Sequence, residues 1–151
     1  MENNMILHED KKVFIDAIRI TSDYYGTREI FVEKDYWATY LLKKLSQSDF
    51  KDKVVFKGGT SLSKAYDLIN RFSEDVDLAI LNAKDYSGNA IKELIKRVEE
   101  TLTVGLKEVD LKDITSKGSR IRRTAYNYEK VINHKGEVGI LDTIVLGCVI
   151  E

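Results

Sequence analysis

Asp75 and Asp77 stand at alternate positions in the run Asp75-Val76-Asp77-Leu78-Ala79-Ile80. A strand sends successive side chains to opposite faces, so Val76, Leu78 and Ile80 share one face and the two carboxylates share the other. Two carboxylates so placed suit Mg²⁺, a hard cation that takes oxygen ligands and keeps company with substrate phosphates. A second metal there would help activate an attacking hydroxyl and steady a leaving pyrophosphate. Upstream, the short β-branched and aromatic run Val54-Val55-Phe56 stops at Gly58-Gly59, with Thr60 and Ser61 next. Glycines let the backbone turn sharply and approach a phosphate closely. A helix opening at Thr60 or Ser61 would present unpaired N–H groups and a positive dipole end, which together favour an anion. Lys57 and Lys64 flank this turn, either as phosphate contacts or as ordinary solvated lysines.

Taken singly, Gly-Gly is a turn and Asp-x-Asp is the wet face of an edge strand. Their order is what points to chemistry. Leu62, Ala65, Tyr66 and Ile69 fall at i, i+3, i+4 and i+7, one apolar helix face between the glycines and the aspartates. Such a helix returns the chain beside the first strand and brings the glycine turn to the acidic face.

Other elements must hold that arrangement. The spacing predicts a first helix to about residue 24, with Val13, Phe14, Ala17, Ile18 and Ile20 toward one side, and a turn at 25–27. A second helix is expected over 31–46. Tyr36, Trp37, Tyr40, Leu41 and Leu45 recur at helical spacing, as core packing rather than a binding stripe, while Lys34, Asp35, Lys43 and Lys44 fall mostly elsewhere. A helix over 89–102 precedes alternating strands near 109–112 and 119–128, the latter putting Arg120, Arg122, Thr124 and Tyr126 on one face. A turn at 133–136 leads to an apolar strand over 143–150. This order reads as α+β, helices packed on a mixed sheet, in a single domain spanning 1–151.

With 24 basic and 25 acidic residues and a net charge of −1, composition alone does not point to nucleic acid. A polyanion must be met by a local patch, and Arg120, Arg122 and Arg123 form one, for a triphosphate, an RNA backbone or simply surface charge. The one cysteine, Cys148, excludes an intramolecular disulfide framework and reads as a buried inert thiol. No apolar stretch reaches the roughly 20 residues that span a bilayer, and the N-terminus lacks a signal-peptide pattern. A cytoplasmic location is the expectation, and oligomeric state is open.

The run FKGGTSLSKAYDLINRFSEDVDLAI, residues 56–80, resembles the first motif of the AbiEii/AbiGii-type toxin nucleotidyltransferases, a branch of the polymerase-beta-like superfamily. FVEKDYWATYLL, residues 31–42, looks like the helix preceding that motif, and SKGSRIRRTAYNY, residues 116–128, looks like the family's middle region. The resemblance implies a nucleotidyltransferase-like mixed sheet preceded by N-terminal helices. It implies Mg²⁺-dependent transfer of a nucleotide from a nucleoside triphosphate (NTP) to an acceptor, with RNA, and tRNA acceptor ends in particular, the favoured class. It also implies a toxin of a toxin–antitoxin or phage-defence pair, with a cognate antitoxin as partner. By position, Asp75 and Asp77 become the catalytic metal ligands. Gly58, Gly59, Thr60 and Ser61 cradle the triphosphate, and Lys57, Lys64, Arg120 and Arg122 become further phosphate contacts.

Three departures accompany the resemblance. Residues 61–74 make a longer spacing than the tightest forms of the motif carry. The family's third acid, which activates the acceptor hydroxyl, is expected on the strand 143–150, where Gly147 stands; Asp142 and Glu151 are nearby acids. Relatives also carry a helical C-terminal half. These departures support a second expectation, a catalytically silent or truncated fold that serves as a nucleotide-binding or protein-interaction module. A third, a structural domain with an acidic edge strand, requires the glycine turn to lie far from Asp75.

Overall fold

The computed structural model describes residues 6–59, 61, 75–118, 120–133 and 143–150. The first helix, α1 (Lys11–Tyr25), is opened by Asp10, whose carboxylate accepts hydrogen bonds from the backbone N–H groups of Lys12 and Val13, both at 3.1 Å. Gly26, in the left-handed region at φ 62°, closes it. Phe14, Ile18 and Ser22, at i, i+4 and i+8, are its buried stripe. Val13 and Ile20 were expected on the same side but are 38% and 69% exposed. The helix packs against the next helix, the turn at Leu7–Glu9 and the segment at Val131–Ile132, all on the side of that stripe, so Val13 and Ile20 are left outside.

That next helix is α2 (Glu29–Ser46). Trp37, Ala38, Leu41 and Leu45 enter the main core, and Trp37 stacks on Tyr128 at 5.4 Å between ring centroids. The aromatic stripe is therefore packing. Lys34 departs from the expected polar side: it and Glu33 are buried. The Glu33 carboxylate accepts hydrogen bonds from the backbone N–H groups of Val131 at 2.7 Å and Ile132 at 3.3 Å. A helix covered on more than one side has little surface left for charge, so its buried charges need partners.

The helix α3 (Gly88–Leu102) starts at Ser87, whose hydroxyl accepts from the Ala90 N–H at 3.3 Å. Ile91, Leu94, Ile95, Val98 and Leu102 form its buried face. Lys44 of α2 donates from its ammonium to the carbonyls of Leu102 at 3.3 Å and Val104 at 2.9 Å. That places a cation at the negative end of the α3 dipole and ties the two helices together.

Both helices lie on one face of a six-stranded mixed sheet. Its strands are β1 (Val54–Lys57), β2 (Asp75–Ile80), β3 (Lys107–Val109), β4 (Ser116–Lys117), β5 (Ile121–Asn127) and β6 (Ile144–Ile150). The order is β1-β2-β6-β5-β3, with β4 also on β5. β2 and β6 run parallel and the other pairs antiparallel. β3 and β4 pair with successive stretches of β5, so they act as one edge strand broken by residues 110–115. The strand expected near 109–112 thus ends earlier, at Val109, and resumes as the unanticipated β4. Among the described residues no helix is long and apolar enough to cross a membrane.

Val76, Leu78 and Ile80 of β2 meet Phe56 of β1, Leu146 and Cys148 of β6 and Tyr126 of β5 under the helices. Cys148 is buried there, and burial pushes its thiol up to about 12, so it is protonated and inert. Glu99 of α3, also buried, reaches the same face, where Arg122 donates to it in an ion pair and the Tyr126 hydroxyl donates to it as well. This network pins β5 to α3. Removing the carboxylate in Glu99→Ala would leave a largely covered guanidinium without its charge partner. The expected cost is about 3 kcal/mol, read as a lowered midpoint in urea unfolding. A variant as stable as the parent would show that the network does not hold β5.

Candidate active site

The opposite face of the sheet carries Lys57, Asp75, Asp77 and Arg123. β2 is an interior strand, between β1 and β6, and Asp75 and Asp77 point away from the helices. This disposes of an acidic edge strand. One register row runs across four strands: Lys57 of β1, Asp77 of β2, Gly147 of β6 and Arg123 of β5. Directly paired residues share a face, so all four stand on the acidic side.

The glycine turn reaches this row. β1 ends at Lys57, the chain bends at Gly58, and Gly59 and Ser61 already lie in helix, earlier than the expected start at Thr60 or Ser61. Gly58 has φ +81°, a conformation that costs a side-chain-bearing residue energy. A Cβ on Gly58 would lie 2.9 Å from Oδ2 of Asp77, and a Cβ on Gly147 would lie 2.6 Å from Oδ1. Two glycines therefore bracket the Asp77 carboxylate, and the bend converges with the acidic face. Gly58 is exposed, Gly59 half-buried and Ser61 buried. Thr60 and Lys64, together with Asp142 and Glu151, lie outside the described residues, as does the expected helix face of Leu62, Ala65, Tyr66 and Ile69.

The arginines separate. Arg122 points to the helix side and into its pair with Glu99, so it does not join the acidic face. Arg120 lies at the far end of the sheet, where its carbonyl accepts from the Ile150 N–H at 3.2 Å, and it lines a cavity with Lys84 and Tyr86. Neither shares the Asp75–Asp77 site. Arg123 does: its Nη2 donates to Oδ2 of Asp75 at 2.8 Å. The sequence signal for this was present in the period of two, which sends neighbours Arg122 and Arg123 to opposite faces.

Burial, then the charge of Asp75, pushes the Asp77 carboxyl above its ordinary 3.8, against the opposing pull of Arg123 and Lys57. Among the described residues the site thus holds two carboxylates and two cationic side chains. Among the described residues no three or more His, Cys, Asp or Glu side chains converge. The two aspartates, on one face beside a backbone bend that carries no side chain at Gly58, fit a divalent cation that draws its remaining oxygen ligands from a bound phosphate. Gly147 stands where a third acid was expected, beside Asp77, and the Asp77 carboxylate fills the space that a side chain there would need.

The raised Asp77 midpoint has a stability consequence. An acid whose folded value lies above its unfolded one favours folding when protonated, and that contribution is lost as pH rises from 3.8 through the folded midpoint. Asp77→Asn, a neutral mimic, should therefore gain on the parent in urea unfolding as pH rises from about 3 to about 7. A stability difference that stays flat over that range would contradict the electrostatic description of the site.

No curated protein matches the chain. A family model described as "Nucleotidyl transferase AbiEii toxin, Type IV TA system" matches residues 40–146, well over half of the sequence. That stretch contains the glycine bend, both aspartates and Arg123. On this match, and with an α+β fold to support it, the chain belongs to the AbiEii nucleotidyl transferase toxin family.

Proposed function

We propose that this protein binds a nucleoside triphosphate with Mg²⁺ at Asp75 and Asp77 and transfers the nucleotide to an acceptor, with RNA, tRNA in particular, the favoured class. The observation that supports this reading is the close approach of Gly58 to the Asp77 carboxylate, which brings the bend against the acidic face. A bound Mg²⁺ would supply charge neutralisation of the polyphosphate and a Lewis acid at the reacting phosphorus. The chain's own residues do the rest. Gly58 and Gly59 offer backbone without side chains, so a phosphate can approach their N–H groups. Lys57, in register with Asp77, adds positive charge on the β1 side. Thr60, Ser61 and Lys64 complete the phosphate cradle in this reading. A cytoplasmic toxin with a cognate antitoxin, acting in phage defence, is the biological setting it implies, from a single domain.

A second reading rests on Gly147. In register with Asp77 and without a side chain, it supplies no carboxylate to deprotonate an acceptor hydroxyl. The protein would then bind nucleotide and transfer it poorly, as a binding or interaction module.

Asp75→Ala and Asp77→Ala should each lower Mg²⁺-dependent NTP affinity by at least about 100-fold, since loss of a direct ligand exceeds loss of an outer-shell partner. Calorimetry with and without Mg²⁺ reads this, and parent-like binding by both variants would remove the metal assignment. Labelled NTPs incubated with Mg²⁺ and total RNA separate the two readings. Label on RNA establishes transferase activity. Its absence, with Mg²⁺-dependent NTP binding retained by the parent, supports the silent form.

A further inference from the structure

Arg123 starts on β5 and ends on Asp75 of β2, so its side chain must pass over the intervening strand β6. The residue of β6 paired with Arg123 is Gly147, the one position on that strand with no side chain to obstruct the passage. The guanidinium is not a buried structural cation like that of Arg122. Its side chain is 44% exposed and that of Asp75 35%, against 20% and 6% for Arg122 and Glu99. The contact is open to solvent and able to exchange.

We propose that Arg123 is a placeholder cation: it holds the Asp75 carboxylate when no divalent ion is bound, and hands over to the triphosphate when one is. The inference rests on the metal-site reading above. Its basis is charge and reach. Arg123 donates to Asp75 and, with Lys57, pulls against the charge that Asp75 exerts on Asp77, so in the absence of metal the two cations partly offset the repulsion between the two carboxylates. A divalent ion on the same carboxylates would leave the guanidinium facing a positive charge, while the incoming polyphosphate offers it oxygens in forked geometry. The residue that competes with the metal in the free protein thereby becomes a ligand of the nucleotide in the loaded one. A cation fixed for structure would help both states or neither.

The two roles have opposite signs in one variant. Arg123→Gln should bind Mn²⁺ alone more tightly than the parent, by roughly two- to fivefold, the scale of a half-exposed ion pair. The same variant should bind the Mn²⁺–ATP complex more weakly, by about tenfold, the scale of a lost charge-assisted hydrogen bond. Arg123→Lys, which keeps the charge, should stay near the parent for Mn²⁺ alone. Calorimetry on the full chain reads all three, with circular dichroism confirming that each is folded. Unchanged or weaker Mn²⁺ binding by Arg123→Gln overturns the placeholder role, as does unchanged Mn²⁺–ATP binding. Asp75→Asn is the control on the underlying reading: if it loses Mn²⁺ while Arg123→Gln gains none, only the placeholder fails. If it binds Mn²⁺ like the parent, the metal assignment fails and the placeholder with it.

Discussion

Repulsion between two carboxylates on one strand face is the constraint around which this molecule is arranged. Alternation on β2 that buries Val76, Leu78 and Ile80 leaves Asp75 and Asp77 no choice but to stand together. Left alone, such a pair would take up a proton or distort the strand. The compensation comes from both sides, Lys57 on β1 and Arg123 on β5, and its electrostatic reach is visible in the opposing pulls on Asp77. Room for it comes from two missing side chains, at Gly58 and Gly147, each of which a methyl group would push against the Asp77 carboxylate. The acidic face is held in place by a well-packed hydrocarbon layer under α2 and α3 on the other side.

The neighbouring arginines of β5 show how one strand serves both layers. Arg122 enters the covered side and locks onto Glu99, while Arg123 extends over the open side to Asp75. The first anchors the strand so that the second can be aimed. Glu33 does comparable work elsewhere, holding the backbone that follows β5 through two N–H groups. Ionised side chains in this protein are therefore fasteners in the core and exchangeable partners on the acidic face, and exposure separates the two uses.

The strongest patterns in the sequence were those with a clear period or an abrupt break. β2 came out with its predicted ends and faces, because alternating aspartate and branched apolar residues admit one orientation. The glycine bend was legible for a similar reason, since the positive φ of Gly58 is one that glycine adopts readily and side-chain-bearing residues rarely do. What escaped were features set by distant partners. Nothing local in Glu33-Lys34 says that both are buried, because what covers α2 comes from elsewhere in the chain. The placement of Arg122 depended on Glu99, 23 positions away, and a run of three arginines read along the chain conceals that they face three surroundings. Val13 and Ile20 looked like core by type, yet α1 makes its contacts on the side of Phe14 and Ile18 and leaves them outside. The break between β3 and β4 could not be anticipated either, since strands of three and two residues carry too little pattern.

That break has an effect on the molecule's sociability. A sheet margin with a long file of unpaired amides and carbonyls invites a foreign strand to dock. Here one margin is β1, only four residues long, and the other is split by the excursion at 110–115, with Lys117 and Glu108 joined in an ion pair across the gap. Neither border offers an uninterrupted ladder, so the described sheet is poorly suited to growing sideways into aggregates, even though its interior strands are strongly apolar.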